Sequence, residues 1–100
     1  AKTNPYARRA VFEKALRLIE EREQEITELI IAELGGTRLK AGFELHLAKE
    51  FLRESMQWAL RPEGKILPSP VDGKENRLYR VPVGVVGVIS PFNFPFLLSL

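Results

Sequence analysis

Asn93 is the residue of this chain best placed to do chemistry, because it sits in the run Pro91–Phe92–Asn93–Phe94–Pro95, where two prolines leave the backbone few conformations. Its side-chain NH2 donates two hydrogen bonds without carrying charge or a transferable proton. A neutral, fixed donor of that kind suits an oxyanion that develops during a reaction. Phe92 and Phe94 would supply apolar walls on either side. Residue types alone leave a second reading open, and it is the more ordinary one: Asn93 caps a helix starting near Phe94 or Pro95, and the aromatics belong to a core.

The element that must position this turn precedes it. Val83 to Ile89 contains only Val, Ile and Gly, so neither face is meant for water, and such runs belong to parallel strands covered on both sides. In open α/β sheets ligands bind beyond the carboxyl ends of the strands, which is where Ser90 to Asn93 stand. A parallel neighbour needs a crossover of about a dozen residues or more, and the stretch from Ser90 to Leu100 is too short for one. The strand's neighbours are therefore expected outside these residues. The missing initiator Met and the uncapped apolar ending FPFLLSL agree with an N-terminal segment of a longer protein.

Further back the pattern is helical. Asn4 before Pro5 reads as a helix start, an acceptor at the cap followed by a residue whose φ suits the first turn. Phe12, Leu16, Ile19, Ile26, Leu29 and Ile30 recur at threes and fours. The register weakens at Glu21 to Glu23, which predicts two consecutive helices or one bent one, ended by Gly35 and Gly36. The charged run Glu20 to Glu25 reads as a solvated face. A further helix is expected from a Thr37 cap to about Leu60, before Arg61 and Pro62. It carries two apolar stripes, Ala41, Leu45, Ala48, Leu52, Met56 and Ala59 on one line, and Phe43, Leu47, Phe51 and Trp58 on another. One stripe can pack on the first helices, whereas the second needs another surface. His46, the only histidine, falls on the polar arc and reads as a surface residue.

From Gly64 the signals change to strand and turn. Lys65 to Leu67 and Arg77 to Val81 read as the strands of a hairpin, with Asp72 and Gly73 in its turn. A two-stranded ribbon is not stable alone, so it must cover another part of the chain or pair with another subunit.

Composition excludes several classes. The chain has 45% hydrophobic and 28% charged residues, an ordinary globular balance. Fifteen basic and 13 acidic residues give a net charge of only +2, which offers no field for nucleic acid or a membrane surface. Without cysteine these residues hold no disulfide, thiolate metal site or cysteine nucleophile. One histidine cannot assemble a metal site, and the apolar runs are far shorter than the about 18 residues of a membrane span. A cytoplasmic location is the expectation.

The string PVGVVGVISPFNFP resembles the signature of the NAD(P)-dependent aldehyde dehydrogenase superfamily, a strand of the form P-x-G-V-x-x-x-I followed by P-[WF]-N-[FY]-P. The preceding helices, ending in ELGGTR, and the Gly64 to Arg80 hairpin occur in the family's order, so the resemblance covers nearly the whole chain. GKENRLYR followed by VISPFNFPF looks most like the bacterial benzaldehyde and vanillin type. Phe92 stands where the family commonly has Trp, and Gly36 where it has Lys; neither change removes a group the chemistry needs.

The resemblance implies an α/β fold with a Rossmann-like parallel sheet in the full chain, of which this segment supplies helices, a β-hairpin and one buried parallel strand. It divides the segment into 1–62, N-terminal helices of the cofactor-binding domain, 63–81, an oligomerisation hairpin, and 82–100, the domain's first strand and turn. It implies oxidation of an aldehyde, aromatic in the benzaldehyde and vanillin type, to a carboxylic acid through a cysteine thiohemiacetal. Asn93 matches the oxyanion-hole asparagine. Ile89, Ser90, Pro91 and Phe92 match the segment along the cofactor, NAD with NADP as the variant, while Phe94 and Leu98 match positions lining the aldehyde tunnel. The cysteine and a general-base glutamate would lie beyond Leu100. The implied partners are the aldehyde and further subunits of a homodimer or homotetramer, with no nucleic acid, membrane or metal. The competing class is a non-catalytic helical and hairpin assembly module.

Overall fold

A computed structural model describes residues 3–100; the first two residues of the expected 1–62 helical unit lie outside it. Helix α1 (Pro5–Glu21) starts as expected: Asn4 Oδ1 accepts from the Ala7 amide at 2.9 Å, and Pro5 occupies the first turn. Helicity breaks at Arg22, whose φ of −110° and ψ of 20° both end α1 and begin α2 (Glu23–Leu34). Gly35 ends α2 in the left-handed conformation, φ 72°, with its amide bonded to Ile31 O at 2.9 Å. Thr37 then caps α3 (Arg38–Trp58), its Oγ1 accepting from Lys40 N at 3.2 Å. The last expected turn, to Leu60, is a pair of tighter turn bonds from Leu60 to Gln57 and Arg61 to Trp58, as the approach to Pro62 requires.

The three helices share one core. Ile19 of α1, Ile30 of α2, and Ala41, Leu45 and Leu52 of α3 are buried together, with Phe12, Leu16, Ile26 and Phe96 packed around them. The first α3 stripe is thus the buried one. The second is open, with Phe43 and Phe51 exposed and Trp58 at 68%. Leu29 also departs from the expected apolar row, being exposed; it borders a groove of about 600 Å³ together with Leu18, Ile26, Phe96 and Leu100. The acidic run is more than a solvated face: Glu20 pairs with Arg53 at 2.9 Å and Glu23 with Lys49 at 3.0 Å, so both ends of the α1–α2 break are tied to α3.

Strands β1 (Lys65–Leu67) and β2 (Asn76–Leu78) form an antiparallel ribbon in the register Lys65 to Leu78, Ile66 to Arg77 and Leu67 to Asn76. Val71 O accepts from Lys74 N at 3.2 Å across Asp72 and Gly73, and Gly73 has φ 78°. The second strand lies earlier than the expected Arg77 to Val81. Pairing runs out at Gly64, where a Cβ would meet Leu78 O at 2.6 Å, and Pro62 beyond it has no amide to donate. Tyr79 to Val81 are left without a partner among the described residues. The ribbon packs on none of the helices.

The buried parallel strand expected over Val83 to Ile89 does not form among the described residues. No ladder includes it, and it lies open to solvent, Val83 at 90% and Ile89 at 99%. The reason is the one its composition implies: the only other strands described are those of the hairpin, and a parallel strand without neighbours has nothing to bond. The resulting radius of gyration, 18.9 Å, exceeds the about 13 Å of a compact domain of this length. Helices fold on one another here, while ribbon and extended segment stand away from them.

Candidate active site

The turn after the extended segment is closed on itself. Ser90 Oγ and Ser99 Oγ lie 2.6 Å apart, and Ser99 Oγ donates to Pro95 O at 2.6 Å, which draws the two ends of the turn together. Leu98 N bonds Phe94 O at 3.1 Å, so a helical turn begins at Phe94 with Pro95 in its first position, where a missing amide costs nothing. A short 3₁₀ helix, Leu97–Ser99, follows.

That turn is anchored by a residue which apolar periodicity passes over. Glu44, in the second turn of α3, has 0% exposure. Its Oε1 accepts from Phe96 N at 2.8 Å and from Leu97 N at 3.1 Å, and its Oε2 receives Lys40 Nζ. The free amides at the start of a helix normally bond a capping side chain just before it; here a carboxylate from another helix takes them. The signal was present in the sequence. Glu44 lies three residues after Ala41 and immediately before Leu45, within the buried arc, with a lysine one turn back to pair with it.

The expected site residues fall around this anchor. Asn93 is exposed at the head of the turn, and Phe92 stands out at 80%. Ile89 and Pro91 are exposed and Ser90 is half-buried in its clasp. Phe94 is half-buried, edge-on to Phe43 and beneath Lys40 Nζ. Leu98 follows one helical turn later on the same side, partly exposed, whereas Phe96 turns the other way into the helical core. Ile89 to Phe92 are uncharged, with backbone groups and an aromatic face open, so they fit the apolar, ring-contacting part of a dinucleotide rather than its phosphates. Among the described residues no group of His, Asp and Glu has metal-binding geometry, and no helix is long and apolar enough to cross a membrane.

Away from the turn, Arg22 donates to Glu25, and this hydrogen bond, then the opposite charge, holds the Glu25 carboxyl below its ordinary value. Arg77 is held above its ordinary value by its bond to Glu75 and then by Tyr79. His46 is an exposed surface residue.

A strand-like apolar run, a proline-bounded turn presenting an asparagine, and a helical body behind it match a known pattern along the whole chain: the aldehyde dehydrogenase family model covers residues 1–100. The chain belongs to the aldehyde dehydrogenase family. Benzaldehyde dehydrogenase YfmT of Bacillus subtilis (strain 168) is 63% identical over 97 residues, covering 97% of this chain and 20% of that protein. Vanillin dehydrogenase of Corynebacterium glutamicum is 49% identical over 100 residues, covering 100% of this chain and 21% of that protein. The crystal structure of an NAD-dependent benzaldehyde dehydrogenase from Corynebacterium glutamicum superposes with a TM-score of 0.92 at 49% identity, covering 99% of this chain and 22% of that one. This aldehyde dehydrogenase segment thus spans about a fifth of the length of the curated relatives it matches.

Proposed function

We propose that the protein carrying this segment oxidises aldehydes, aromatic ones included, to carboxylic acids with NAD, and that Asn93 donates to the oxyanion formed when a thiolate from elsewhere in the protein adds to the aldehyde carbonyl. The observation that carries the role of Asn93 is the bonding of Glu44. The Phe96 amide, the one a capping Asn93 would bond because Pro95 has none, goes to that carboxylate together with Leu97 N, so capping does not account for an asparagine at this position. A neutral donor facing a forming negative charge stabilises the transition state more than the ground state. Phe94 and Leu98 then form one wall for the aldehyde, and Ile89 to Phe92 form the cofactor side of the turn. NAD, when bound, supplies the acceptor for the hydride.

The names of the similar proteins, benzaldehyde and vanillin dehydrogenases with an NAD-dependent structure among them, support an aromatic substrate and NAD over NADP. A homodimer or homotetramer and a cytoplasmic location belong to the same reading. The exposed Phe43, Phe51 and Trp58 face and the unpaired Val83 to Ile89 segment speak against a free-standing assembly module, since contiguous apolar surface of that kind calls for cover. The test is reduction of NAD by the purified full-length protein with benzaldehyde and with a short aliphatic aldehyde. Turnover faster with benzaldehyde supports the reading, and no reduction with either aldehyde overturns it.

A further inference from the structure

We infer that Glu44 is a positioning residue for the reaction: by accepting from the Phe96 and Leu97 amides it sets where the turn holds Asn93. The inference rests on the oxyanion role proposed above. Glu44 projects from the second turn of a 21-residue helix whose neighbouring side chains Ala41, Leu45 and Ala48 are fully buried, so its carboxylate has a fixed base. Its two acceptor contacts fall three and four residues after Asn93, within the first helical turn, where a shift in the amides is passed to Asn93 through a backbone stiffened by Pro95. Lys40 satisfies the second carboxylate oxygen and its ammonium also stands 4.9 Å from the Phe94 ring centroid. One charged pair on α3 therefore reaches both the donor side and the wall side of the turn. Amide hydrogen bonds to a carboxylate are shorter and stronger than those to a neutral acceptor. A group that must be held to within a fraction of an ångström gains most from such a link.

The test uses the full-length enzyme with Glu44→Gln, Glu44→Asp and Glu44→Ala. Gln keeps an acceptor in place without the charge; Asp keeps the charge and withdraws the acceptor by one methylene. Burst titration of active sites puts kcat on a per-folded-site basis. The expected result is kcat within about fivefold of wild type for Gln and down about ten- to a hundredfold for Asp and Ala, the scale of misplacing a catalytic group by about an ångström, with KM for the aldehyde and for NAD within about threefold. Combined with Asn93→Ala, Glu44→Asp should add little further loss, because both act on one interaction.

Per-site kcat equal to wild type in Asp, or a Gln variant as slow as Asp, overturns the inference. So do fully additive losses in the double variant. Should Ala not fold, Gln and Asp decide alone. An Asn93→Ala enzyme within a fewfold of wild type removes the oxyanion reading and this inference together. A large Asn93→Ala loss beside unaffected Glu44 variants removes this inference only.

Discussion

The Phe94 ring stands edge-on to Phe43 of α3, with centroids 6.4 Å apart and planes at 71°. That geometry is a favoured aromatic pair, and with Lys40 over the ring it holds Phe94 from the helical side while the ring stays half-exposed, as the proposed aldehyde wall requires. Phe94→Ala should therefore change the ranking of aromatic over short aliphatic aldehydes in kcat/KM by about tenfold, the scale of losing one apolar wall contact. Phe43→Ala, which frees the ring without removing it, should shift the ranking in the same direction and by less. Phe96→Leu, a change in the core, should leave the ranking alone. Equal losses for every aldehyde in Phe94→Ala would assign that ring to structure.

Asn93 separates its two possible roles under substitution. Asp accepts from helix amides as well as Asn does, yet it places a negative charge where negative charge develops. Asn93→Asp should keep its Tm and its affinity for NAD and lose at least about a hundredfold in kcat/KM. A capping residue would behave in the opposite order, with Asp active and Ala less stable by about 1 kcal/mol. Steady-state kinetics and thermal melts of the two variants decide between these patterns.

The hairpin makes a prediction about assembly. Both faces of β1 and β2 are open and the ribbon packs on no helix, so its stability has to come from another part of the protein or from another subunit. Deleting Lys65 to Arg80 from the full-length protein should give monomer or aggregate by light scattering. Gly64→Ala, which would push a Cβ into Leu78 O, should weaken the oligomer without abolishing it. An unchanged oligomer in the deletion would show that the ribbon does not join subunits.

Acid should act on the α1–α2 break in a defined direction. The bond from Arg22 lowers the folded-state pKa of Glu25, so whatever the pair contributes is present above the carboxylate's unfolded value and is lost as pH falls through the folded one. Both side chains are exposed to solvent, which makes the contribution small. Melting curves of wild type and Glu25→Gln should differ slightly at neutral pH and converge at acidic pH. A gap that widened on acidification would contradict the assignment.

What could be read from the residues divides along the range of the interactions. Asn4, Gly35 and Thr37 act on amides or carbonyls within four positions of themselves, so their types and places suffice to foresee them. The buried stripe of α3 comes from spacing, and so does the need of Val83 to Ile89 for neighbours. Glu44 is different: its amide partners lie 52 and 53 positions away, and a rule that sends charged residues to solvent discards it. The same holds for Glu20 and Glu23, whose partners on α3 lie 33 and 26 positions on. The early end of β2 depended on the other strand, since continuing the register would set Tyr79 to Val81 against Gly64, Glu63 and Pro62, of which Glu63 gives its amide to Arg61 O and Pro62 has none. Asn93 could be singled out by type, while the argument against capping needed the other end of a long-range bond.

The clasp between one carboxylate and two amides also bears on the order in which the molecule takes shape. Doubling a loop adds only about 0.6 kcal/mol to its closure cost, so the separation of Glu44 from Leu97 does not by itself delay their meeting. The delay arises because the intervening ribbon and extended segment offer the helices nothing to hold in transit, while α1 and α3 pack directly on one another. The helices should therefore become protected from solvent exchange first and the turn around Asn93 last, and in the native protein the turn should detach while the helices stay closed. Amide exchange at Phe96 and Leu97, compared with Leu45 and Leu52, would then read the fraction of molecules whose turn is seated at any moment.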